Sequence, residues 1–453
     1  MMRWIAALSL ITLAFAAAAA TRNRSPDAPP APAALFAIAD RVDAAQLRAT
    51  IEALVAFGTR HTLSDTQSES RGIGAARRWV QARFAAIGAD CDGCLSVVTP
   101  AQTFTGARMA QPTAVVDVVA VQRGSDDPQR VIVISGHLDS RVSDVMDATS
   151  DAPGANDDAS GVAAVIEAAR VLSKYRFRAT LVYAALSGEE QGLYGAKVLA
   201  GYARAQGWQV QADLNNDIVG NSEGQDGTRE TDVVRVFSEG TRSLETLDEA
   251  KYRRYHGGEV DSPSRNVARY MAALAERYLP NFTVRMVYRT DRYGRGGDEV
   301  PFLEAGYPAV RVTEAHENYA RQHQDLRSEN GVRYGDTIDG VDFAYLARVT
   351  RLNAITMAQM AWAPAPPDGV DVEGALRADT TVKWNAVPGA AAYRVWWRDT
   401  TAAQWQHSRD ADGKATSLVL QNVVVDDQFF GVSSVSAEGF ESPVVFAGAA
   451  GRF

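Results

Sequence analysis

The chain has 453 residues, 46% hydrophobic and 22% charged, enough for two or three domains around a large core. Its formal net charge of −9, with no long basic run, argues against nucleic acid or an anionic membrane surface as the main partner.

The N-terminus is informative. Met1-Met2-Arg3 is a short basic region, Trp4 to Ala17 is apolar, and Ala18-Ala19-Ala20 offers small residues for cleavage. This pattern predicts a signal peptide over 1–20 and export to the periplasm or medium. The apolar stretch is short for a bilayer span, and no later segment is apolar enough for one. Residues 21–41 follow as a flexible lead-in, rich in Pro and Ala from Ser25 to Ala34.

Leu47, Ile51, Leu54 and Val55 fall at helical spacing within 42–57, and Ala75, Trp79, Val80 and Phe84 do the same within 70–87. Two cysteines stand in Cys91-Asp92-Gly93-Cys94; in an exported chain they predict a small disulfide loop, and a zinc ribbon lacks its second pair. Residues 113–122 and 131–135 read as strands. Ser135-Gly136-His137-Leu138-Asp139-Ser140 ends the second, followed by a loop and a helix from Ala159 to about Lys174. The apolar run Leu181 to Leu186 is continuous rather than alternating, which predicts a strand buried on both faces. Glu189-Glu190, a helix over 193–206 and a short strand ending at Asp217 come next. Helices over 261–278 and 343–362 and a strand over 309–312 complete this part.

The order strand, loop, helix, repeated, predicts an α/β fold: a mostly parallel mixed sheet flanked by helices, over 42–362. Ligand sites in such sheets form beyond the carboxyl ends of the strands, where each acidic motif lies. After a Pro-rich linker over 363–369, residues 370–453 alternate strands and turns with no helical pattern. They predict a small all-β sandwich. Trp384, Ala392-Tyr393-Arg394-Val395 and the aromatic strand from Phe429 to Ser436 resemble a fibronectin type III module.

His137, Asp139, Asp157, Glu189, Glu190, Asp217 and His323 are the chemistry-bearing residues at these strand ends and loops. Singly, each has an ordinary reading as a cap, a solvated pair or a loop polar group. Together, clustered carboxylates repel one another unless cations neutralise them. Two imidazoles with three or four carboxylates suit two zinc ions sharing one carboxylate.

The ordered motifs Gly-His137-Leu-Asp139-Ser, Pro-Gly-Ala-Asn-Asp157-Asp-Ala-Ser-Gly, Ser-Gly-Glu189-Glu190-Gln-Gly-Leu-Tyr-Gly, Asn216-Asp217-Ile-Val-Gly and Gly-Gly-Asp298-Glu299-Val-Pro-Phe resemble the secreted two-zinc aminopeptidases, of the bacterial leucyl-aminopeptidase type and related to glutamate carboxypeptidases. The resemblance runs from about Leu47 to Met360. It implies a zinc exopeptidase fold and two zinc ions per chain. His137 and Asp217 bind one zinc, Glu190 and His323 the other, and Asp157 bridges them. It further implies that Glu189 is the general base and that Asp139 orients His137 through its far ring nitrogen. The implied substrates are peptides with a free N-terminus. A carboxypeptidase or glutaminyl cyclase of the same fold is the alternative, and a non-catalytic receptor-like protein the third reading.

The chain departs from this pattern at Glu299, where relatives often carry His, which puts the charge or shape of the nearby pocket in question. His316 competes with His323; the acidic Asp325 close behind favours His323. His61 reads as structural, and Tyr293 as a candidate donor to the oxyanion.

Overall fold

The computed structural model describes residues 33–453; the signal peptide expected over 1–20 lies outside them. Eight strands form the central sheet. Their order across it is 96–98, 118–122, 179–186, 127–137, 209–216, 309–314, 233–237 and 283–287. Strand 127–137 pairs in parallel with both neighbours, and 309–314 with 209–216. The strands at 118–122 and 233–237 join antiparallel to that parallel centre. The sheet is therefore mixed and mostly parallel at its middle, as the order of elements predicts.

Burial on both faces has a visible cause. Successive side chains of a strand point to opposite faces. Ile132, Ile134, Leu181 and Tyr183 enter one apolar cluster with helices Ala159–Leu172 and Phe343–Trp362. Val131, Val133, Val182 and Ala184 enter a second cluster, against helix Tyr194–Ala205. A run with both faces covered has no polar side to show, so it reads as continuously apolar.

The expected strand over 113–122 is two strands. Met109–Val116 pairs with Ala101–Gly106 as a separate hairpin, and Val118–Gln122 joins the main sheet. The break is Asp117, fully buried, whose Oδ1 accepts the Ser187 amide at 3.0 Å. The lead-in expected over 21–41 also needs correction: Ala33–Asp40 is a helix. Leu35 and Ile38, one turn apart, are buried, and the Phe36 ring meets Tyr278 edge-on at 5.0 Å. Cys91 and Cys94 are bonded to each other just beyond helix Gly72–Ala89.

The C-terminal part has a three-stranded and a four-stranded antiparallel sheet around Val382, Trp384, Tyr393, Val395 and Val432. It does not hang from a free linker. Ala363 and Pro364 are buried, and Ser434 Oγ donates to the Ala365 carbonyl at 2.7 Å. The Trp362 and Phe440 rings lie 4.7 Å apart. Tyr270 Oη donates to the Glu441 carbonyl at 2.6 Å. Asp261, fully buried, binds Arg398 through both oxygens, at 2.8 and 3.0 Å, and Arg269 at 2.8 Å.

One buried carboxyl in the sheet makes a pH prediction. Asp213 lies on strand Gln209–Asn216; Oδ1 accepts from Ser135 Oγ at 2.8 Å and Oδ2 has no partner. Burial pushes its pKa up to about 8, with the Ser135 hydrogen bond opposing. The folded chain thus holds a proton that the unfolded chain releases near its ordinary value of 3.8. Stability from this group is complete below that value and is lost as pH rises toward 8. Asp213→Asn is expected to flatten the fall of unfolding free energy between pH 5 and 7 by about 1.4 kcal/mol per pH unit. Urea unfolding of both proteins across that range measures it; parallel curves would refute it.

Candidate metal centre

The parallel centre of the sheet delivers the site. His137 ends its strand paired with Leu186, so Ser187-Gly188-Glu189-Glu190 leaves the sheet beside it. Asp217 follows the next strand, its amide donating to the Val312 carbonyl at 3.2 Å. Three motifs far apart in sequence therefore emerge at one edge, as strand register requires.

Asp157 and Asp158 divide their work. Asp158 caps helix Ala159–Leu172, accepting from the Gly161 amide at 2.9 Å, and also takes the His137 amide at 3.0 Å and the Ile218 amide at 3.3 Å. It ties three segments together through their backbones. Asp157 is left free to face the site. Its Oδ1 lies 3.1 Å from His137 Nε2, and its Oδ2 lies 2.8 Å from His323 Nε2. Glu190 Oε1 stands 2.9 Å from His323 Nε2, and Asp217 Oδ1 stands 3.9 Å from His137 Nε2.

These donors fall into sets that could each hold a metal: His137, Asp157 and Asp217; Asp157, Glu190 and His323; and His137, Glu189 and Glu190. Within each set the donor atoms lie within 4.8 Å of one another. The chemistry of the donors fits zinc, which takes imidazole nitrogen and carboxylate oxygen. One further feature fits. Glu190 Oε1 is buried without a hydrogen-bond partner although His323 Nε2 is so near. The two atoms converge without the alignment of a hydrogen bond, as two ligands of one ion do.

Electrostatics reflect this crowding. Burial opposes the charged form of His137, but Asp157, Asp217 and Glu189 overrule it and raise its pKa well above the ordinary value. Burial would raise Asp157, yet His323 and His137 hold it well below the usual carboxylate range. Glu189 keeps some access to solvent, but burial pushes its carboxyl up to about 8. Like charge on Glu190 and Asp217 adds to that rise, and His137 opposes it.

Asp139 departs from its expected role. His137 Nδ1 donates to the Asp139 backbone carbonyl at 3.0 Å, while the carboxylate Oδ1 is 3.8 Å away. The carboxylate instead accepts from Thr62 Oγ1 at 2.9 Å and from the amides of Glu189 and Glu190 at 3.3 and 3.2 Å. A side chain already holding three donors has little capacity left for the ring. Asp139 thus holds His137 through its main chain and the glutamate pair through its side chain.

Of the competing histidines, His323 reaches the centre. His316 Nε2 pairs with Glu230 at 3.0 Å and belongs to none of the ligand sets. His61 is buried: its Nδ1 accepts the Leu63 amide at 3.0 Å, and Nε2 donates to the Val145 carbonyl at 2.9 Å. Tyr293 is 87% exposed with the Arg289 guanidinium over its ring, which does not suit an oxyanion donor. Glu299 is fully buried, and burial with the neighbouring Asp291 pushes its pKa well above the carboxylate range.

Three supporting residues escape a sequence reading. Asp336 takes the amides of Asn156, at 2.9 and 3.0 Å, and Asp157, at 2.7 Å, and so aims the Asp157 loop. Arg311, fully buried, pairs with Asp217 Oδ2. Arg141 pairs with Glu190 Oε2 at 2.7 Å. Nothing local marks Asp336 or Arg311; Arg141 was findable only as the charge adjoining the His137 motif.

The family model for Peptidase family M28 matches residues 117–338, the span that contains every residue of this centre. A probable zinc metalloprotease of Leptosphaeria maculans is 46% identical over 414 residues, covering 90% of this chain and 96% of its own. The chain belongs to peptidase family M28. A second relative, a probable zinc metalloprotease of Pyrenophora teres f. teres, is 44% identical over 418 residues, covering 91% of this chain and 86% of its own. Among solved structures, the LapA aminopeptidase of Legionella pneumophila superposes with a TM-score of 0.53 at 19% identity, covering 73% of this chain and 75% of that one. At that identity the likeness is one of fold. Because the two relatives match 90% and 91% of this chain, the similarity is not confined to the peptidase sheet.

Proposed function

We propose that this M28 peptidase is an exported two-zinc exopeptidase that removes N-terminal residues from peptides. The observation that carries the reading is Asp157, one oxygen beside His137 and the other beside His323, between two separate ligand sets. His137 and Asp217 would hold one zinc and Glu190 and His323 the other, with Asp157 common to both. When bound, such a metal pair polarises the scissile carbonyl and acidifies water.

The residues of the chain supply the rest. Glu189 takes a proton from the attacking water and passes it to the leaving amine. Asp139 fixes the Glu189 and Glu190 amides, so that one carboxylate serves as base and its neighbour as ligand. A second complete ligand set weighs against a one-zinc cyclase. The Cys91–Cys94 bond suits an oxidising compartment, which supports export. Among the described residues no helix is long and apolar enough to cross a membrane. The fibronectin type III-like sandwich acts in this reading as a brace on the peptidase.

Purified protein is expected to contain about two zinc ions per chain, to lose activity on chelation, and to regain it with zinc. It should cleave peptides with a free amine and spare N-blocked ones. Cleavage of N-blocked peptides at the carboxyl end would replace aminopeptidase with carboxypeptidase, and a metal-free protein that hydrolyses nothing would sink the reading.

A further inference from the structure

The two histidines of the centre are prepared differently for a metal. A ring that binds a metal through Nε2 keeps its proton on Nδ1, so Nδ1 needs an acceptor. His137 has one, the Asp139 carbonyl at 3.0 Å. His323 does not: its Nδ1 faces Arg141 Nη2, a donor, at 2.6 Å. Arginine keeps its protons under all ordinary conditions. With a metal on His323 Nε2, two N–H groups would be pressed together at that distance.

Arg141 also pairs with Glu190 Oε2 at 2.7 Å through Nε. Its guanidinium therefore spans both the carboxylate and the imidazole of one half of the centre. The other half has two cations, Arg311 and, at 3.8 Å, Arg292, both on Asp217 Oδ2. Arg311 is fully buried and engages Asp217 Oδ2, whereas the oxygen nearest His137 is Oδ1. Arg311 can stay while a metal occupies the His137 side. Arg141 keeps 15% of its side chain exposed and has a route outward; Arg141 Nη1 already donates to the Val142 carbonyl at 3.2 Å.

We propose that Arg141 is a resident counter-cation of the Glu190–His323 half and competes with the metal there. The two metals then load in order, the His137–Asp217 half first and more tightly. The Glu190–His323 half fills only as the Arg141–His323 contact opens. This rests on the two-zinc reading above.

The test is a zinc titration of the metal-free full-length protein at fixed pH, by calorimetry with metal content measured in parallel. Wild type is expected to bind zinc in two steps of unequal affinity. Arg141→Met should tighten the weaker step at least about tenfold and leave the tighter one unchanged, and Arg141→Lys, which keeps a cation, should stay near wild type. A wild type that binds one zinc while Arg141→Met binds two would support the same conclusion. Two zinc ions in both proteins with an unchanged or weakened second step overturns the competition and leaves the two-zinc reading standing. One zinc in wild type and variant alike overturns both. A thermal melt that matches wild type excludes misfolding of the variants.

Discussion

Replacing Glu189 with glutamine is expected to lower kcat by about 10²–10⁴, the usual worth of a positioned general base. This corresponds to about 3–5 kcal/mol of transition-state stabilisation. Glutamine keeps the shape of the side chain and cannot take a proton. Asp139 holds residue 189 through its backbone amide, so the loop should keep its place. The Glu190 ligand is untouched, and zinc content should match wild type. Glu190→Gln is the contrast: it alters a ligand and should cost metal as well as rate. Steady-state kinetics on a free-amine peptide, with zinc measured on the same samples, separates the two effects. Activity of Glu189→Gln within tenfold of wild type would remove Glu189 from the chemistry.

The second large effect lies far from the chemistry. Among the described residues, Asp261 is the carboxylate paired with the guanidinium groups of both Arg269 and Arg398, and all three side chains are essentially buried. Arg398 comes from the C-terminal sandwich, and Arg269 and Asp261 come from the peptidase part. Asp261→Ala would leave two buried cations without their anion. Breaking a buried ion set in this way costs about 3–5 kcal/mol. A shift of that size in urea unfolding is the expected result. The triple replacement Asp261→Leu, Arg269→Met, Arg398→Met should recover much of it, since exchanging a whole buried set for apolar groups is often neutral. If the sandwich were an independent spacer, Asp261→Ala would leave the peptidase part's unfolding within about 1 kcal/mol of wild type, the range of a surface ion pair.

The contrast between the sandwich and the sheet shows where a sequence reading runs out. Alternating strands after Ala363-Pro364 predict a separate β module, and the two small antiparallel sheets are there. That the module packs on the peptidase involves meetings such as Asp261 with Arg398, residues 137 apart in the chain. No local periodicity encodes such a meeting. The strands at 233–237 and 283–287 and the helix Leu247–His256 were illegible for a related reason. The strands are short and interrupted by Arg235 and Arg285, and the helix buries none of its residues, so no apolar stripe announces it.

For the centre, the α/β order, the strand-end placement of His137, Glu189, Glu190 and Asp217, and the donor types that suit zinc are all legible in the sequence. Those follow from local rules: period-two and period-3.6 burial, and motifs that end strands. The folded arrangement set which neighbour does what. It gave the capping work to Asp158 and turned the Asp139 carboxylate toward the Glu189 and Glu190 amides. It also laid Arg141 across Glu190 and His323. Each of these choices is a competition among hydrogen-bond partners distant in sequence. Such a competition is settled by strand register and loop packing, which exist only once the chain has folded.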